Sequence, residues 1–239
     1  MKLLAVDAAT PRLVLGLADG DRRWLRDRAA DPGVRGTLPA LTSALLAEAG
    51  IAASALDIVA IGVGPGSFTG LRSGMAFARA LAWTLERPVV AVDSLECTAA
   101  PFLGRAGVQR VRVLLDARMQ AVYAGEYVGR PARPVAVSPI VERALEPGLA
   151  ETAEQEPTGI ALVGNALALP GAERLAQAGW AAFAPEALPT ADAMLDIALA
   201  RAARGEHMRA AALSPRYVRD RVALTRAQRA AGERLAAPR

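Results

Sequence analysis

Apolar positions gather in short blocks from the start of the chain. Leu3-Leu4-Ala5-Val6 runs into Asp7, Ala8 to Arg12 breaks the run, and Leu13 to Ala18 forms a second block. Asp19-Gly20-Asp21 then leads into the charged stretch Arg22 to Arg28. Short apolar runs bounded by turn residues read as strands, and Asp-Gly between two of them is a hairpin signal. The period changes between Thr37 and Ala49, where Leu38, Leu41, Leu45 and Leu46 recur at helical spacing and Gly50 closes the stretch. Residues 57–63 return as a buried strand, 70–85 as an Ala-rich helix, 89–92 as a strand and 94–103 as a helix. The order is three strands, then alternating helix and strand.

The pattern restarts after Gly104-Arg105-Ala106-Gly107. Val111 to Asp116 is a strand ending in Asp, Ala117-Arg118-Met119-Gln120 turns, and Ala121 to Val128 returns as a strand. This repeats the strand, Asp, turn and strand of the first nineteen residues, and it predicts an internal duplication. Residues 131–147 carry a further extended piece and a helix start, and 151–159 read as a polar loop. Residues 160–163 form a buried strand followed by Gly164-Asn165, and 191–204 an amphipathic helix.

The segment richest in chemistry lies between strand 57–63 and the helix after it: Gly64-Pro65-Gly66-Ser67-Phe68-Thr69-Gly70-Leu71-Arg72-Ser73-Gly74. Its glycines let backbone approach a partner closely, as an anion cradle or a tight helix contact requires. A P-loop needs Lys and then Ser or Thr after its last Gly, where Leu71-Arg72 stands. A nucleophile elbow needs Gly-x-Ser-x-Gly, but Pro65 and Thr69 stand two residues either side of Ser67, and the sole His207 has no evident acid partner. A dinucleotide fingerprint fails on spacing, with one residue too many between Gly66 and Gly70. A Gly-rich turn that serves only helix packing stays open.

Composition narrows the class without choosing among these readings. The 239 residues are 53% hydrophobic, enough for one large or two modest cores. No apolar run approaches the roughly 20 residues that span a bilayer, and Asp7 comes too early for a secretory signal, so a cytoplasmic protein is expected. The single Cys97 is expected as a half-buried side chain on a helix beside Leu95, and one His with one Cys makes no metal-binding cluster. Charge is uneven. Residues 201–239 hold ten Arg against Glu206, Asp220 and Glu233, whereas the whole chain is only +4. Clustered Arg can track phosphates, but no aromatic stripe accompanies it, and a solvated tail or one docked on an acidic partner is expected.

Two units that each open with an apolar hairpin carrying Asp at its first turn resemble the actin-like ATPase superfamily, where paired turns face a cleft and hold a nucleotide's phosphates. In that frame Asp7 and Asp116 bring two carboxylates to one cleft, able to hold hydrated Mg²⁺, while Thr10 and turn amides donate to phosphate oxygens. An Asp at a strand end also serves as a turn former, bonding nearby amides.

Leu4-Ala5-Val6-Asp7-Ala8-Ala9-Thr10, the run from Gly64 to Gly74, Asp116-Ala117-Arg118-Met119 with Tyr123, and Pro215-Arg216-Tyr217-Val218-Arg219 occur in the order found in the TsaB (YeaZ) family, which the chain resembles over nearly its whole length. The resemblance implies an α/β fold of two tandem actin-like ATPase (ribonuclease H-like) lobes, 1–104 and 105–220, each opening with an antiparallel hairpin in a mixed sheet, and a basic tail, 221–239. It implies a non-catalytic subunit that activates the TsaD-type transferase making N6-threonylcarbamoyladenosine in tRNAs that read codons starting with A. A TsaE-type ATPase is the implied third member, tRNA is met indirectly, and a homodimer is expected when the partner is absent. No cofactor is required on this view, with weak ATP, ADP or Mg²⁺ binding left open.

The nucleotide or phosphate candidates are Asp7, Thr10, Gly64, Gly66, Ser67, Thr69 and Asp116. The partner-interface candidates are Gly70, Arg72, Gly74, Ala78, Leu38 and Leu41, with Gly70, Gly74 and Ala78 spaced on one helix face. Packing of that small-residue stripe inside the chain is the alternative. Family members often carry a His near the start of the first long helix, and this chain has Gly33 at that place. The alternative function is a stand-alone small-molecule kinase or phosphotransferase of the same superfamily. It needs a carboxylate base in the cleft and a complete adenosine motif, of which Val163-Gly164-Asn165-Ala166 is a fragment.

Overall fold

The computed structural model describes residues 1–30 and 38–218. Gly33, the helix start expected at Thr37 and the basic stretch 221–239 lie outside the described residues. The chain runs through β1 (Lys2–Asp7), β2 (Arg12–Asp19), β3 (Arg22–Ala29), α1 (Leu38–Ala49), β4 (Ile58–Gly62), α2 (Phe68–Thr84), β5 (Val89–Val92) and α3 (Ser94–Ala99). Strand order in this sheet is β3-β2-β1-β4-β5, antiparallel through β3, β2 and β1 and parallel from β1 through β4 to β5.

The second sheet uses β6 (Arg110–Arg118), β7 (Ala121–Arg130), β8 (Arg133–Ala136), β10 (Ile160–Val163) and β11 (Ala182–Ala184) in the order β8-β7-β6-β10-β11, with β9 (Val141–Ala144) also pairing with β7. Two helices complete the chain, α4 (Leu145–Ala153) and α5 (Ala191–Ala203). Counted outward from β1 and from β6, the two sheets have the same order and the same strand directions. The duplicated topology follows from the repeated hairpin signal.

Side-chain alternation explains why β1 is apolar from Leu3 to Val6. Leu4 and Val6 point into a core shared with α1 and α2, while Leu3 and Ala5 point into one shared with α5. A strand covered on both faces gains from burying every residue. The second sheet is likewise two-faced. Val113 and Leu115 meet α3, and Leu114 and Leu162 meet α4. Helix α3 and the turn after it form the wedge between the sheets, since Leu95 and Ala99 join the second sheet's core and Cys97 and Ala100 join the first's. Cys97 is fully buried rather than half-buried, and burial pushes its thiol pKa up.

Several element boundaries differ from the sequence expectation, among them the second hairpin's first strand, which runs on to Arg118 where a turn was expected, and three have a clear local cause. Helix α2 begins at Phe68 because Ser67 caps it, its hydroxyl accepting from the Gly70 amide at 3.3 Å. Helix α3 ends at Ala99 and continues as a 3₁₀ turn over Ala100–Phe102, where Pro101 has no N–H to extend the α-ladder. The expected loop 151–159 begins later than the polar residues suggest. Leu149 and Thr152 are buried under the second sheet, Thr152 Oγ1 donates to Gly148 O at 2.8 Å, and α4 runs on to Ala153.

Candidate functional site

The two hairpin turns and the glycine-rich turn meet at one cavity of about 690 Å³. Ala9 to Pro11 from the first hairpin, Pro65 to Thr69 from the glycine-rich turn, and Leu115 to Arg118 with Asn165 from the second unit line it. Of the predicted nucleotide or phosphate residues, Thr10, Gly66, Ser67, Thr69 and Asp116 are brought together here. Gly64 is buried beside them, under the carbonyl of Arg216. Asp7 lies below the floor and does not line the cavity.

Glycine makes this convergence sterically feasible. A Cβ on Gly66 would overlap the Ala9 carbonyl, and the Ser67 amide donates to that same carbonyl at 2.6 Å. A Cβ on Gly62 would overlap the Asp7 carboxyl. Asp7 is thereby sealed: it is 3% exposed, Oδ1 accepts from the Ala9 amide at 2.8 Å and Oδ2 from Ser94 Oγ at 3.3 Å. Burial raises its pKa, and the bonds from Ala9 and Ser94 only partly oppose that. Asp7 serves the turn, and its carboxylate does not fit the role of a cation ligand in this cavity. Thr10 is also engaged locally, accepting from the Arg12 amide at 3.2 Å and donating to the Arg12 carbonyl at 3.0 Å.

Asp116 stands differently. Its Oδ1 accepts from the Arg118 amide at 2.7 Å, Oδ2 pairs with the Arg118 guanidinium at 3.2 Å, and its own amide donates to Asn165 Oδ1 at 3.0 Å. The turn beyond it is strained, with Arg118, Met119 and Gln120 all at positive φ, between 54° and 62°. Arg118 lines the cavity, so the acid expected to hold a cation is already matched by a cation of its own.

Sequence reasoning gave no role to Phe68, Arg118, Tyr123, Arg216 or Tyr217 and placed Asn165 only in a fragmentary adenosine motif; all six line the cavity. Arg216 and Tyr217 belong to the Pro215–Arg219 run, so the signal was present in the letters. Only the fold carries that run to the cavity.

Of the partner-interface candidates, Arg72 is exposed and Leu41 half-buried, whereas Leu38, Gly70, Gly74 and Ala78 are buried. Gly74 faces Ala8, where an added Cβ would lie 3.2 Å from the Ala8 Cβ, and Ala78 belongs to the core under α1 and α2. The small-residue stripe therefore packs inside the chain. The outward face of α2 is made instead by Arg72, Ala76, Ala80 and Trp83, the last 68% exposed, and α1 exposes Ala40, Ala44 and Ala47. Among the described residues there is no group of three or more His, Cys, Asp or Glu placed to hold a metal ion, and no helix long and apolar enough to cross a membrane.

Comparison with known proteins places these features in a series. Residues 33–145 match the TsaD family, described as tRNA N6-adenosine threonylcarbamoyltransferase. The chain is 31% identical over 134 residues to the tRNA threonylcarbamoyladenosine biosynthesis protein TsaB of Haemophilus influenzae, covering 56% of each chain. It is 35% identical over 130 residues to the protein of that name in Bacillus subtilis, covering 53% of this chain and 55% of the other. These matches thus span little more than half of the relatives' length. The solved structure of YeaZ from Pseudomonas aeruginosa is 30% identical, with a TM-score of 0.76 over 90% of this chain and 100% of that one.

Proposed function

The chain belongs to the TsaB (YeaZ) family, and on that premise we propose that it takes part in tRNA threonylcarbamoyladenosine biosynthesis as a non-catalytic subunit that activates a TsaD-type transferase. The observation that carries the reading is the contrast between the cavity and the outer helices. Asp7 is sealed under Gly62 outside the cavity, and at the cavity wall Asp116 is paired with Arg118, so neither carboxylate stands as an unpaired base or cation ligand. On the outside, α1 and α2 present mostly small side chains and a largely exposed Trp83, with Glu48 and Arg72 as exposed charged members. An exposed Trp among alanines is the composition of an interface centre, because small residues admit a partner helix and the indole supplies area.

The partner on this reading is a TsaD homologue seated on α1 and α2, with a TsaE-type ATPase completing the assembly in the cytoplasm. The same face serves a homodimer when that partner is absent. No cofactor is required for this role. The stand-alone phosphotransferase is disfavoured by the same pairing of Asp116 that disfavours any base in the cavity.

The test is threonylcarbamoyladenosine formation on unmodified tRNA, reconstituted from the adenylate-forming enzyme and the TsaD and TsaE homologues of one organism, with and without this chain. Product is expected only when the chain is present. Trp83→Glu is expected to abolish both capture of the TsaD homologue and product while leaving the fold unchanged. Equal product without the chain overturns the activator role, and undiminished capture by Trp83→Glu overturns the interface.

A further inference from the structure

Arg216 lines two cavities at once. One is the 690 Å³ space between the hairpin turns, and the other, of about 550 Å³, lies on the far side, against Tyr127 of β7 and Arg201 of α5. Of the segment 213–218, Arg216, Tyr217 and Val218 line the first cavity, and Arg216 borders both. The segment enters from the first unit's core, where Leu213 is buried, and leaves toward the second, where Val218 packs against that sheet's cluster.

Its fastenings are few and peripheral. The Arg216 amide donates to Val63 O at 2.8 Å, the Arg216 guanidinium faces Asp93 Oδ2 at 3.2 Å, and Tyr217 Oη accepts from Arg72 Nε at 3.1 Å beside the Phe68 ring. Arg216 is 55% and Tyr217 50% exposed, so both can leave without opening a core. Asp93, by contrast, is buried, and its Oδ1 caps α3 through the Leu95 and Glu96 amides at 2.8 and 3.3 Å. Among the described residues its Oδ2 receives no hydrogen bond, and its charge is offset by Arg216 at 3.2 Å, with Arg201 of α5 contributing as well.

We propose that residues 214–218 form a releasable strap, latched by the Arg216–Asp93 ion pair, and that its release joins the two cavities into one. The latch is sensitive to the protonation of Asp93. Burial and the nearby Glu96 carboxylate hold the Asp93 pKa up at about 7, and Arg216 opposes them. The groups that face Asp93 are Glu96 from α3, which is itself clamped by Arg201 from α5, the Tyr127 hydroxyl from β7 at 3.5 Å, and Arg216 from the strap. Glu206 and His207 line the adjoining cavity. Ionised Asp93 holds Arg216, and protonation as pH falls through 7 removes the charge that holds it.

Hydrogen exchange of the peptide spanning 209–218 in the full chain tests this, after correction for the intrinsic pH dependence of exchange. Protection at Arg216 is expected to fall about tenfold between about pH 8 and about pH 6, while a β1 peptide is unchanged. Asp93→Asn, which keeps an oxygen to cap α3, and Arg216→Gln, on the exposed side, are each expected to show the low-pH exchange at both values. Equal protection of the wild type at both pH values, or wild-type protection in Arg216→Gln, overturns the proposal. So does loss of protection in β1 together with the strap, because release would then be global unfolding.

Discussion

The first and second units begin with the same device, a strand that ends in Asp and turns back on itself, yet the two aspartates have opposite surroundings. Asp7 is closed over by Gly62 and Ser94, and its oxygens satisfy buried donors. Asp116 sits at the cavity wall, and its neighbours are an exposed arginine and a left-handed turn. The units also differ in what packs at the end of the central parallel strand. Gly62 at the end of β4 meets the Asp7 side chain, whereas Gly164, just past β10, meets the Leu114 backbone one layer deeper, and Asn165 then holds the Asp116 amide. Local sequence makes an Asp turn in both places. The residue laid across it decides whether the carboxylate becomes structure or surface.

The largest expected effect tests that seal. Gly62→Ala places a methyl where the Asp7 carboxyl lies, and it should cost about 3 kcal/mol in urea unfolding, with part of the loss recovered in the double variant carrying Asp7→Ala. Additive losses would show that the seal acts through backbone alone. Next comes the carboxylate itself. Asp7→Ala leaves the Ala9 amide and the Ser94 hydroxyl unpartnered in the core and should cost about 2 kcal/mol, against about 1 kcal/mol or less for Asp116→Ala at the cavity wall. Equal costs would erase the contrast between the units.

Titration offers a subtler separation. Burial places the Asp7 pKa above its unfolded value, so the folded chain holds a proton that the unfolded chain has already released. Stability from this group is therefore full at low pH and declines as pH rises from the ordinary carboxylate range to the folded value, by at most about 1.4 kcal/mol per pH unit. Asp7→Asn should remove that slope from the stability profile measured from acid to neutral pH; an unchanged slope would assign it to other groups. The smallest effect belongs to the second turn. Met119→Asn with Gln120→Gly suits two positions at positive φ and should raise stability by about 1 kcal/mol, leaving the first unit's behaviour unchanged.

The two hairpins and the parallel strands were legible because burial on both faces favours apolar runs, and Leu3–Val6, Val113–Leu115 and Ile160–Val163 supply them. Strand β11, only three half-buried residues long, gave no such signal, and its place at the sheet edge comes from pairing with β10. The glycine-rich run announced a close approach without saying to what. Gly66 turned out to meet the Ala9 carbonyl and Gly74 to meet Ala8, so both tie α2 and the turn before it to the first hairpin. A spacing of four residues puts glycines on one helix face but is silent about whether that face looks in or out.

The sequence alone determined the duplicated order of strands, the Asp at each first turn and the chain's family, because these depend on local pattern and on the identity of residues in a row. Tertiary structure decided which Asp is sealed, which face of α2 is free, and that Arg216, remote along the chain from Asp93 and Val63, lies between two cavities. Those outcomes depend on what the fold lays over each residue, and a side chain's charge, exposure and partners are set by its neighbours in space.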